Sequence, residues 1–322
     1  MSIKVETFRK ILKFTSPFLA HTPAEIRLRL ALVLRHKGIQ TIFDPNSIRT
    51  FAKISTNSKF KVVTIENNTK IKVDINEIIG FRTFIDKTWD ATCFLLTECI
   101  DPDKLVLIDV GANIGTTCIP VARRGSKIIA IEANPTTYAI LIENLLMNKV
   151  SNYSALNIAM GATNNSGKWM DIISPLGNTG GSHVGKSSKE FLNQGLIRKC
   201  LMKTLDESLD FLGLFELTSE HKFIILKIDV EGYEPEVFRG GQRTIDHFRP
   251  VIIFEYTPST YNSRNSKKNF WEKWREYELF SISKKLHLGK FSPGSVLLDV
   301  LAVPKEKKDQ LAVFNNSSHL NR

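Results

Sequence analysis

LVLIDVGANIGTT, residues Leu105 to Thr117, is the stretch on which the fold turns. An apolar, partly β-branched run (Val106, Leu107, Ile108) ends in Asp109, and Gly111, Asn113 and Gly115 follow at once. This is the pattern of a buried strand that stops at a carboxylate and passes into a turn where backbone can approach a ligand closely. A second apolar run, Lys127 to Ile131, stops at Glu132. Two neighbouring strands that end in acids beside a glycine turn form the ligand cleft of a doubly wound sheet.

The turn also selects among ligands. A dinucleotide fingerprint places its glycines as GxGxxG, whereas here Ala112 and Asn113 fill the interval in Gly111-x-x-x-Gly115. No Lys-Ser/Thr follows a glycine loop, which excludes a phosphate-cradling P-loop. A nucleoside without phosphate fits better, namely S-adenosylmethionine. Its ribose diol suits Glu132, and its amino-acid end suits Asp109, Gly111, Ala112, Asn113 and Gly115. Asn134 is expected beside the adenosine, with the adenine held by Asn157 to Ala159 just past the third strand.

Further segments follow in a fixed order. IEANP (Ile131 to Pro135) precedes a helical stretch carrying Asn144 and Asn148, then come FIILKIDVEGYEPEVFRGG (Phe223 to Gly241) and PVIIFEY (Pro250 to Tyr256). In this order the chain resembles the FkbM family of S-adenosylmethionine-dependent methyltransferases over residues 88–304, with KIDVEGYE as the most specific piece. Ala133 departs from the family's usual Pro, and residues 1–87 lie outside the resemblance. The resemblance implies a class I methyltransferase fold, Rossmann-like, closed by a terminal antiparallel strand pair.

The acids Asp109, Glu132, Asp229, Glu231 and Glu255 all fall at strand ends, where open α/β sheets bind ligands. Burying such groups is costly unless they are paired or hydrogen-bonded. Methyl transfer from a sulfonium needs mainly in-line positioning, and a hydroxyl acceptor gains from a base at hydrogen-bond distance. Asp229 is the first choice as base, with Glu231 sharing that role or orienting the acceptor. Lys227, counted with these acids in the catalytic set, alternates with Asp229 along the strand, so the two could face one side and pair, with a substrate ligand as the equal alternative for Lys227. Anchoring of the turn at Gly232 is the structural alternative for both acids. His183 and Asn178, in NTGGSHVG, mark a loop suited to facing substrate, and Glu255 is a weaker substrate-binding candidate. Asn144 and Asn148, one turn apart, read as structural hydrogen-bonders. Nothing in the spacing demands a metal, although Asp229 and Glu231 with a third acid could hold Mg²⁺.

The 322 residues are 42% hydrophobic, enough for one large core or two small ones. No apolar run approaches the about 18–20 residues that span a bilayer, and the N-terminal apolar stretch is broken by Lys13, Ser16 and Pro17, unlike a secretory signal. Cys93, Cys99, Cys118 and Cys200 show no CxxC pairing, which argues against structural zinc and a disulfide scaffold and for a reducing, cytoplasmic setting. The net charge of +11 is concentrated in residues 1–50 and in residues 264–290, where bases mix with Phe270, Trp271, Trp274, Tyr277 and Phe280. That mixture reads first as a solvated helix face, with nucleic acid, an anionic surface or an anionic substrate as alternatives.

Three regions are expected: a helical and β-hairpin extension at 1–87, the methyltransferase domain at 88–304, and a flexible tail at 305–322. In the extension, Ala24 to Lys37 reads as a helix, and Lys59 to Ile75 as a hairpin turning at Asn67-Asn68. Trp89 to Ile100 reads as an amphipathic helix. Strands at 105–109, 127–131, 153–158, 223–229, 250–255, 278–284 and 297–303 make a mostly parallel, doubly wound seven-stranded α/β sheet. Helices are expected at 115–123, 136–148, 233–239 and near 266–277, a less regular segment at 161–200, and a loop at Pro293-Gly294. Asn315 to Ser318 read as frayed.

The function expected is an S-adenosylmethionine-dependent O-methyltransferase acting on a hydroxyl of a sugar, glycan or secondary metabolite. An RNA methyltransferase is the rival among enzymes, and a cofactor-fold binding module without turnover is the rival among non-enzymes. A small-molecule or glycan partner ranks above nucleic acid, and homo-oligomerisation through residues 1–87 stays open.

Overall fold

The computed structural model describes residues 60–90, 92–98, 100–175, 178–185, 195–216, 223–261, 274–282, 288–292 and 298–311. The expected helices in residues 1–50, most of the one near 266–277, the Pro293-Gly294 loop and the Asn315 to Ser318 tail lie outside these residues.

Two strands, β1 (Phe60–Ile65) and β2 (Thr69–Asp74), pair antiparallel as the expected hairpin. Asn67 and Asn68 both take positive φ in the turn, a conformation Asn tolerates better than other side chains. Helices α1 (Ile78–Asp86) and α2 (Thr92–Thr97) follow. The sequence reading missed α1 and made α2 too long. Asp90 Oδ1 accepts the Thr92 N–H (3.1 Å), which sets the later start.

The main sheet is built from β3 (Leu105–Val110), β4 (Lys127–Ile131), β5 (Tyr153–Leu156), β10 (Phe223–Ile228), β11 (Val251–Tyr256), β12 (Tyr277–Ile282), β13 (Leu288–Lys290) and β14 (Leu298–Pro304). Its order is β13-β12-β14-β11-β10-β3-β4-β5. The five strands from β11 to β5 run parallel, and β14, β12 and β13 complete the sheet antiparallel. The sheet is therefore mixed and eight-stranded, one more than expected. The extra strand is the three-residue β13, too short to carry a pattern of its own.

All six residues of β3 are buried, because helices cover both faces. Leu105 and Leu107 face a core shared with α3 (Cys118–Ala122) and α4 (Pro135–Met147), through Ile119, Leu141 and Leu145. Val106, Ile108 and Val110 face the opposite core with Leu205 and Leu209 of α5 (Leu205–Phe211) and Val237 and Phe238 of α6 (Glu234–Gly240). Each such buried aliphatic stabilises the fold by about 1.5–3 kcal/mol. A further helix, α7 (Gln242–Phe248), leads into β11. The hairpin adds Val63, Ile65, Ile71 and Val73 to the first core.

The described residues of 161–200 are more regular than their Gly, Asn and Ser content suggested. A second sheet, β6-β9-β7-β8, is made by β6 (Ala159–Met160), β7 (Trp169–Pro175), β8 (His183–Gly185) and β9 (Gly195–Lys203). Its inner side chains Ala159, Ile172, Cys200 and Met202 form a small core of their own. At the other end, Lys305–Gln310, expected to begin the tail, forms a 3-10 helix. No helix among the described residues is long and apolar enough to cross a membrane.

Candidate active site

The chain runs outward from β3 to β5, then returns to β10 on the other side of β3. A crevice therefore opens at the carboxyl ends of β3 and β10, the switch point of the sheet. Asp229 N–H donates to Val110 O (2.9 Å) across this point.

Gly111 has φ +87°, and a Cβ there would lie 1.9 Å from the Asp229 carbonyl oxygen. Only glycine lets the two strand ends approach so closely. Gly111 and Ala112 both donate N–H to Ile131 O, at 2.9 and 3.0 Å. Asn113 takes φ +51°, and its Oδ1 accepts the Ile114 N–H (2.8 Å). Gly115, φ +90°, packs on Ile119 and Leu141.

Glu132 sits at the tip of β4 with both oxygens engaged. Oε2 accepts the Asn113 N–H (2.9 Å) and Oε1 the Asn134 N–H (2.7 Å). Burial outweighs those bonds and pushes its carboxyl up to about 7. A carboxylate offers about four acceptor sites, so ligand hydroxyls can still add to the two backbone donors.

Lys227 is the buried cation of the site. Its Nζ meets Asp229 Oδ2 at 2.9 Å, the pairing that the sequence allowed. It also faces Asp109, its partner across β3 and β10, and the charge of Asp90. These acids hold the ammonium well above the usual lysine range in spite of its burial. Asp109 is fully buried on the β3 face with no hydrogen-bond partner at either oxygen, the weakly donating Cys118 thiol being its neighbour. Burial raises its carboxyl to about 6, with Lys227 opposing.

Glu231 takes φ +55° at the tip of β10 and reaches solvent at the mouth of the crevice. Partial desolvation, then Asp229 and Glu234, push it up to about 7. Glu255 is pushed up to about 8 by desolvation and by Asp229, Glu231, Glu234 and Asp299, the last directly opposite on β14. Glu234 caps the turn instead, its Oε1 accepting the Val230 and Gly232 N–H groups (both 3.1 Å).

The cleft between these strand ends is open to solvent. It brings together Gly111, Asn113, Glu132, Asp229, Glu231 and His183 of the expected residues. Asp109, Lys227, Ala112, Gly115, Asn134, Asn157, Asn178 and Glu255 stand outside its lining. Asn134 is the N-cap of α4 (Thr136 N–H to Oδ1, 3.0 Å), and its amide donates to Ser174 Oγ (2.9 Å). Asn157 donates to Glu132 O (2.8 Å), while Ile158 and Ala159 after it do line the cleft. Those two asparagines bond the walls of the cleft. Asn144 and Asn148 are structural, as expected, and bond the backbone of β2 at Lys72 and Lys70.

Sequence reasoning missed Met160, Ile172 and Tyr233, while Thr179, Ser182 and Val184, which also line the cleft, belong to the NTGGSHVG loop it singled out. Tyr233 had a signal, lying two residues past Glu231 within KIDVEGYE. Among the described residues, no group of three or more His, Cys, Asp or Glu is arranged to hold a metal ion. Chemically, Glu132 can accept hydroxyl donors, the Ile158, Met160 and Ile172 side can pack a flat apolar ring, and Asp229 and Glu231 favour a cation.

Comparison with known proteins bears on this arrangement. A curated relative, Methyltransferase 1 of Beauveria bassiana, is 28% identical over 198 residues, covering 58% of this chain and 74% of that protein. A tRNA(Phe) (4-demethylwyosine(37)-C(7)) aminocarboxypropyltransferase of Pyrococcus horikoshii is 35% identical over 98 residues, covering 30% of this chain and 33% of that protein. Among solved structures, Methyltransferase FkbM from Methylobacillus flagellatus aligns with TM-score 0.37 and 14% identity, over 62% of this chain and less than half (44%) of that one. The profile of the Methyltransferase FkbM domain matches residues 109–281, more than half of the sequence, and the chain belongs to that family.

Proposed function

We propose that this chain transfers a methyl group from S-adenosylmethionine to a hydroxyl of a sugar, a glycan or a secondary metabolite. The cofactor supplies an electrophilic methyl carbon when bound, and the residues present fit it. Glu132 stands at the tip of β4 for a ribose diol, Ile158 and Ala159 follow β5 for the adenine, and carboxylates line the opposite side.

The observation that carries the reading is Glu231. It is a carboxylate at the cleft mouth, held near neutrality by its surroundings, which is the property of a general base working at physiological pH. Asp229 has one oxygen engaged by Lys227. We therefore give Glu231 the proton-accepting role and Asp229 the task of orienting the acceptor hydroxyl. Tyr233 and His183 also line the cleft and are the side chains proposed to meet the acceptor.

Labelled methyl transfer from S-adenosylmethionine into fractionated glycans, lipids and RNA tests this directly. Label in the glycan or small-molecule fraction supports the reading. Label confined to RNA, and lost with added salt, would replace it with the second reading, which the +11 charge and the tRNA-modifying relatives favour. Cofactor binding without transfer into any fraction, by the wild-type chain and by Asp229→Asn alike, would make it a binding module.

A further inference from the structure

The extension before the family's matched residues reaches both walls of the cleft, though none of its described side chains lines it. On one wall, Asn144 is a three-way junction. Its Oδ1 accepts the Lys72 N–H (2.7 Å), and its Nδ2 donates to Lys72 O (3.3 Å) and to Ile114 O (2.8 Å). The hairpin is thereby bonded, through one buried amide, to the residue that follows cleft-lining Asn113. On the other wall, Glu77 at the start of α1 accepts the Thr179 N–H with Oε2 (2.6 Å). Ile79 presses on Gly180 from below, where a Cβ would lie 2.2 Å from Ile79 Cδ1 and 3.6 Å from Asn113 Nδ2. The loop carrying Thr179 and Gly180 is thus held between the extension and the Asn113 turn.

We propose that β2 and the start of α1 form a bracket that fixes the separation of the two cleft walls, with Asn144 and Glu77 as its positioning residues. This rests on the reading of the cleft as a cofactor site only for its functional consequence. The bracket itself is a property of the ligand-free chain.

Hydrogen exchange on the full-length, ligand-free protein separates positioning from general stability. Asn148 supplies the control, because it bonds the same hairpin at Lys70 and not the turn. Asn144→Ala is expected to speed exchange across residues 113–116 about tenfold, with Asn148→Ala raising it in the hairpin alone. Glu77→Ala is expected to do the same at residues 179–182, and Glu77→Gln, whose amide oxygen still accepts, to restore protection. Binding of S-adenosylhomocysteine should weaken about tenfold in Asn144→Ala and Glu77→Ala, and stay within about twofold in the two controls. Should Asn144→Ala fail to fold, the comparison of Glu77→Ala with Glu77→Gln still decides the bracket at the other wall. Equal exchange of the turn in the Asn144 and Asn148 variants would overturn the bracket, as would Glu77→Ala with a fully protected loop. A wild-type chain that binds no S-adenosylhomocysteine would overturn the proposed function while the exchange comparison still decides the bracket.

Discussion

At the tip of β4, Glu132 has each oxygen matched to a backbone N–H, whereas at the tips of β10 and β11 the acids Asp229, Glu231 and Glu255 face one another. The first half of the crevice is finished: turn, carboxylate and helix cap form one hydrogen-bonded unit. The second half is crowded with like charge, and its nearest cation, Lys227, lies beneath it against Asp229 and Asp109. A finished surface suits recognition, because its groups are already aimed and little reorganises on binding. A crowded one suits chemistry, because desolvation, reinforced by like charge, keeps a proton-accepting group near neutral pH.

Glu231→Gln tests that division most severely. Methyl transfer should fall about 10²–10⁴-fold with cofactor affinity and melting temperature unchanged, and a parallel loss of cofactor binding would break the contrast. In the wild type the rate should climb with pH through about 7, where the Glu231 carboxyl loses its proton.

Lys227→Met is next. It leaves Asp109 buried without its countercharge, at a cost of about 3–5 kcal/mol in urea unfolding. An unchanged midpoint would mean that Lys227 does not balance the acids.

Glu132→Gln should cost about 1–3 kcal/mol, because the amide can accept from only one of the Asn113 and Asn134 N–H groups. Calorimetry should show weaker cofactor binding as well, and unaltered affinity would remove Glu132 from the ribose contact.

Stability also carries a pH slope. Asp109 and Glu132 carry raised carboxyl values, about 6 and about 7, in the folded chain. The folded state therefore holds protons that the unfolded state releases above about pH 4. More protons in the folded state means stability that declines as pH rises through about 4 to 7, by at most about 1.4 kcal/mol per unit for each group. Denaturation midpoints in ligand-free protein that rise over that window would contradict this.

The parts of this contrast that were legible in sequence are those written in consecutive residues. LVLIDVGAN and KIDVEG each place strand, turn and acid within a few positions, and Asn67-Asn68 announces its hairpin. The partners of those acids were less legible, because they arrive from elsewhere. Asn134, read next to Glu132 as a cofactor contact, also caps α4, a role its position before Pro135 left unremarked. The second sheet was hidden for a different reason. Gly- and Asn-rich residues precede β7 and β8, and in β9 only alternate residues such as Cys200 and Met202 are buried. Thr179, Ser182 and Val184 reach the cleft only once that sheet folds over it.

The amides of Asn144 and Asn148 have one more effect. Each presents a donor and an acceptor to the outward-facing peptide groups of Lys72 and Lys70, as another strand would. An unpaired strand of this kind is a template for intermolecular pairing and fibril growth. Two side chains from a helix thus stand in for a missing neighbour, and their loss would leave a sticky border whose first symptom is precipitation.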